Sequence, residues 1–197
     1  MARPIESTPI LDAEEWNVFM NTVQQTKYTP LEVHKVDVER IRGLLKHNQE
    51  DLELFRAHND GLVDAIEHTT FEDGKDNDVT LLVKSFVRRN PAMAYQWLHE
   101  LFMSNQTTPV IMAGLLRTLS MVSEKGSESI VLDMVKVGLS SGDSSVQEAA
   151  IMVIEEWRTE KCLVALRQEK SFASEWLEKY ATLVAHELDE ELSLCSC

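Results

Sequence analysis

The chain has 197 residues, a formal net charge of -14, a hydrophobic fraction of 44% and an aromatic fraction of 7%. That is the composition of a folded protein in water, and its acidity opposes a phosphate backbone, so nucleic acid is excluded as the expected partner and a basic protein favoured. Apolar runs stay far short of the 18 residues of a membrane span and no secretory leader is evident, so the expected location is the cytoplasm.

Residues 1–11 hold two prolines and no helical period, and read as an extended arm. Asp12 with Glu15 forms a capping box and Leu11 with Trp16 a hydrophobic staple, so a first helix carrying Trp16, Phe19, Met20 and Val23 is predicted to end near Thr26. After a connector, Asp37 is the expected cap of a second helix with Val38, Ile41, Leu44 and Leu45. Asn48 is the expected cap of a third, in which Leu52, Phe55, Leu62, Val63 and Ile66 line one side. Asn59 falls inside that stripe, and the reading preferred for it is a side chain reaching solvent at the edge. The stretch FEDGKDND at residues 71–78 is the most loop-like interior segment and ends a three-helix region over 12–74. Its carboxylates at Asp73, Asp76 and Asp78 lack the spacing of a calcium loop.

Beyond it the chain alternates periodic helices with restart signals. Val79, Leu82, Val83, Phe86 and Val87 make one helix, with Arg88 and Arg89 at its negative end. Asn90–Pro91 restarts the chain as cap and first helical residue, and Thr108–Pro109 does so again. The next helix, 109–123, is apolar on nearly every side, and Ser127 is the expected cap of its partner. The best-specified helix follows Asp143. There Val146, Ala149, Ala150, Val153, Ile154 and Trp157 repeat at helical spacing, and Ile151 and Met152 add a second apolar side. Thr159 to Gln168 reads as its shorter partner. Ser171 is the expected cap of a terminal helix over 171–192 carrying Phe172, Trp176, Leu177, Tyr180, Leu183, Val184 and Leu188, before a flexible tail at 193–197.

The restarts near Asp76, Thr108 and Asp143 lie 32 and 35 residues apart, one helical hairpin per period. DSSVQEAAIMVIEEW resembles the first helix of a HEAT repeat, with an Asp near its start, a Val after it, paired Ala and then aliphatic positions; Gln147 stands where such repeats often carry Arg. The resemblance extends over residues 76–170 and implies a HEAT/armadillo-like α-solenoid, a fold whose usual work is holding another macromolecule. Separately, ARPIESTPIL followed by VERIRGLL resembles short bacterial antitoxin-like proteins, which implies a protein partner for the arm.

Motifs that would carry catalysis are not found. The six His show no zinc spacing, no Gly-rich phosphate loop or nucleophile elbow occurs, and Cys162, among apolar neighbours, reads as an inert core thiol. Asp64, His68 and His58 are the nearest approach to a metal set and read as solvated helix surface. Cys195 and Cys197 resemble a prenylated Cys-x-Cys tail, but nothing upstream looks like a GTPase, so a thiol-bearing tail is expected. The expectation is therefore all-α: a three-helix N-terminal region, HEAT-like hairpins over 75–170 and a capping helix. Its expected function is non-enzymatic protein binding without cofactor or metal, as a scaffold or adaptor. An antitoxin or immunity protein against a basic toxin, and an enzyme or ligand-binding protein on the same scaffold, are the alternatives. Glu155, Glu156, Glu187, Asp189 and Glu190 are the candidate partner-binding residues.

Overall fold

The structure, a computed structural model, describes residues 30–72, 74–122, 127–169 and 171–194. The predicted arm, the Asp12–Glu15 capping box, the Trp16 helix, Asp73 and the tail cysteines Cys195 and Cys197 lie outside them. Among the described residues the chain is all-α, with nine helices and no strand. It divides into two compact units, Met1–His47 and Asn48–Cys197.

Helix α1 runs Pro30–Arg56, through both Asp37 and Asn48, where separate helices were expected. The Asn48 side chain is spent on a tertiary partner rather than a cap. Its Oδ1 accepts from Asn90 Nδ2 at 3.0 Å, beside the fully buried Asp51 carboxylate, which accepts from Arg89 Nε at 2.6 Å and Asn90 Nδ2 at 2.9 Å. In the first unit Val38, Ile41, Leu44 and Leu45 are exposed. The chain breaks after Arg56, and α2 follows at Asn59–His68. Asn59 does not reach for solvent as expected: its Oδ1 accepts from the indole N–H of buried Trp97.

Local caps set the next starts. Asn77 Oδ1 accepts from Thr80 N at 2.9 Å and opens α3, Asp78–Arg89; Asn90 accepts from Met93 N and Pro91 opens α4, Pro91–Ser104. These helices and α1 meet in an aromatic cluster, where Phe55 and Phe86 stack at 4.4 Å between ring centroids and Trp97 meets Phe86 edge-on at 5.4 Å. Such pairs add about 0.5–1.5 kcal/mol each beyond area burial.

Helix α5, Pro109–Ser120, is buried almost all round, as its sequence predicts, and is followed by α6, Glu128–Leu139. Asp143 caps α7, Ser144–Trp157, by accepting from both Ser145 N and Val146 N. Thr159 caps α8, Glu160–Gln168, through Cys162 N. The α5/α7 pair is the most extensive packing in the second unit. Consecutive helices from α3 to α8 touch, and so do alternate ones: α5 packs on α7 and α7 on α9, while α4 packs on α6 and α6 on α8. Glycine permits the close approaches. A Cβ on Gly138 of α6 would lie 3.0 Å from Ala150 Cβ of α7, and one on Gly114 of α5 would lie 2.3 Å from Ile66 Cγ2 of α2.

The last helix, α9, runs Glu175–Leu194 and so starts later than Ser171. Residues 171–173 are committed elsewhere. Gln147 Nε2 donates to Ser171 O at 3.0 Å and to Leu139 O at 2.8 Å, and its Oε1 accepts from Ala173 N at 2.8 Å, which holds this non-helical stretch against α7.

Candidate protein-binding surface

Helices α2, α5, α7 and α9 of the second unit carry the features that bear on binding. Between the end of α2 and the starts of α5 and α7 lies a cleft of about 530 Å³, walled by Ile66, Phe71, Pro109, Val110, Ala113 and Gly114 with Arg117, Asp143 and Ser145 at its polar side. Gly114 contributes depth because it has no side chain. Arg117 is held by Glu148 at 2.9 Å, so its charge is already balanced within the cleft wall. Val110, half exposed, stands at the mouth.

The five predicted acidic residues separate into two kinds. Glu155 accepts from the Tyr180 hydroxyl, Asp189 is paired with Arg167, and Glu190 lies 3.8 Å from His186 Nδ1. Glu156 on α7 and Glu187 on α9 are exposed and make no ion pair with any described residue. Acidity is thus partly neutralised inside the molecule and partly left facing outward.

Beside that acidity α9 also shows an apolar surface. Leu177, Ala181, Val184 and Leu188 are buried, but Trp176 is 50% and Leu183 56% exposed. Trp176, Tyr180, Leu183 and Glu187 are four, three and four residues apart, so they form a second strip next to the buried one. The sequence signal was present, since α9 carries two adjacent apolar arcs. Among the described helices α9 packs chiefly on α7 and α8, and these cover just one of the arcs. Tyr180 joins the strip to α7 through Glu155, and its ring stacks with Trp176 at 6.4 Å between centroids.

The groups considered for metal or nucleophilic chemistry are engaged in the fold. His68 Nδ1 sits 2.8 Å from Asp64 O and 3.5 Å from the Asp64 carboxylate; the backbone carbonyl first and the carboxylate second raise the imidazole pKa above its ordinary value. His58 is bonded to Leu54 O at 2.9 Å and meets Phe86 edge-on. Cys162 is buried, and desolvation pushes its thiol upward in pKa against the opposing hydrogen bond from Thr159. No three His, Cys, Asp or Glu side chains converge as a cation would require among the described residues. No helix among them is long and apolar enough to cross a membrane. Comparison with protein-family models, curated proteins and solved structures found no match.

Proposed function

We propose that the chain is a protein-binding module of the α-solenoid kind, a scaffold or adaptor acting in the cytoplasm, whose layer of α2, α5, α7 and α9 receives a basic partner. The carrying observation is the alternate packing of helices, α5 on α7 on α9 and α4 on α6 on α8, which is how stacked HEAT-like hairpins bury their faces. The period of the restarts and the resemblance of the Asp143 helix to a HEAT repeat agree with that packing. A stack of this kind leaves one side of each layer free for a partner. The second unit offers for this the cleft at Gly114, the exposed Glu156 and Glu187, and the aromatic strip on α9.

The test is a pull-down from the source extract with the tagged full chain and with a Glu156→Lys/Glu187→Lys variant, each at low and moderate salt. One basic protein retained stoichiometrically by the native chain, weakened by salt and lost with the variant, is the expected result. If that protein is a toxin whose activity the chain blocks, the adaptor narrows to an inhibitor. Retention of nothing at either salt, or retention indifferent to charge reversal, overturns the proposal.

A further inference from the structure

Resting on the reading of the chain as a binding module, we infer that the α9 strip of Trp176, Tyr180, Leu183 and Glu187 recognises an arginine-bearing amphipathic helix of a partner protein. Trp176 and Leu183 are each at least half exposed on a helix whose adjacent arc, Leu177, Ala181, Val184 and Leu188, is seated in the core, so their exposure does not come from a poorly packed element. The strip is ordered from beneath. Tyr180 donates to Glu155 of α7 and stacks on Trp176, which fixes two aromatic faces before any partner arrives and lowers the ordering cost of binding. The Trp176 indole N–H makes no hydrogen bond with a described residue and is open to an acceptor.

Charge chooses the occupant. Glu187 continues the strip without an ion pair among the described residues, Glu190 follows three residues later, and Glu155 lies beneath Tyr180. Aromatic faces bordered by carboxylates suit a guanidinium, which stacks on the ring and donates in parallel to a carboxylate; a lysine ammonium does the first less well and the second only at a point. The spacing along α9 is that of helix ridges, so the complementary ligand presents leucine-like side chains at i, i+4 and i+7 with arginines on the flank. An anionic lipid surface would be repelled by Glu187 and Glu190.

The probe is a labelled synthetic helical peptide of leucine, arginine and alanine with that spacing, titrated against the full chain and followed by anisotropy and by ¹H–¹⁵N spectra. The expected result is saturable binding that weakens with salt and shifts the Trp176 indole resonance. Trp176→Ala and Leu183→Ala should each weaken it roughly tenfold or more, as central anchors do, and Glu187→Lys should weaken it mainly at low salt. Replacing the peptide's arginines by lysine should weaken binding severalfold and replacing them by glutamate abolish it. All three protein positions are on the surface, so unchanged circular dichroism and melting will show that the variants fold. Absence of binding, or affinity unaffected by both Trp176→Ala and Leu183→Ala, overturns the inference. If the shifts fall instead on Val110 and Ala113 at the cleft, the α9 strip is ruled out while the binding-module reading stands.

Discussion

At the scale of single residues, Gln147 does the most for the fold relative to its size. Its side chain is buried and satisfies two carbonyls and one N–H from two different segments, Leu139 at the end of α6 and Ser171 and Ala173 before α9. An arginine at this position could donate to both carbonyls but could not accept from Ala173 N–H, so the amide suits this site where a guanidinium would not. Gln147→Ala leaves these backbone groups without partners, and a loss of about 2–3 kcal/mol in urea unfolding is expected; a loss below about 1 kcal/mol would mean water replaces the amide at little cost. Cys162 gives a second measurement. Its folded pKa is raised, so the protonated thiol is what the fold favours. The stability it contributes is complete below the unfolded pKa and disappears as pH rises through the folded one. In a Cys195→Ser/Cys197→Ser background, alkylation of the native protein at mildly alkaline pH should be much slower than in urea; equal rates would contradict the burial of this thiol.

At the scale of elements, closeness of approach decides more than propensity. Gly114 lets α5 settle on α2 with Ile66 Cγ2 only 2.3 Å from where a Cβ would be, so Gly114→Ala must displace the Ile66 side chain or push the two helices apart. A cost of about 1–3 kcal/mol is expected, and Ile66→Ala in the same chain should recover part of it, giving a coupling of about 1 kcal/mol or more in a double-mutant cycle; strictly additive effects would place the strain elsewhere. Most helix starts were legible because the signal is local: Asn90 with Pro91, Pro109, Asp143 and Thr159 all stand where their caps or first turns form, while the α3 cap is Asn77, one residue beyond the expected restart near Asp76. Asn48 was misread because its oxygen goes to Asn90 across the fold, and the Ser171 start because its backbone goes to Gln147. Pro30 repeats the Thr-Pro signal that is plain at Pro109, and it marks where α1 runs from. Of the candidate surface, acidity was legible from composition alone. Which carboxylates are already paired, and that Trp176 and Leu183 face outward, depend on neighbours distant in sequence.

At the scale of the molecule, alternate packing makes a specific demand on how stability is distributed within the second unit. In a stack each hairpin touches only its neighbours, so opening free energies depend on position: highest where two interfaces are complete, lower where one side is unpartnered. The α5/α7 pair is the most extensive contact, and Leu115, Leu116, Leu119, Val146, Ala149, Val153 and Ile154 in it are fully buried. Helix α9 has neighbours in α7 and α8 and leaves Trp176 and Leu183 outside. Native-state hydrogen exchange should therefore find the slowest amides in α5 and α7, with protection falling toward α2 on one side and α9 on the other. Low urea should open α9 before α5. A single opening free energy shared by the slow amides of α2, α5, α7 and α9 would instead describe one cooperative globule, and the solenoid reading would lose its energetic basis even though the helix pairings remained. The same gradient bears on binding, because a ligand seated on α9 stabilises the least protected helix. Adding the arginine peptide should raise protection first in α9 and only weakly in α5, an ordering that rigidification of a single cooperative unit would not produce.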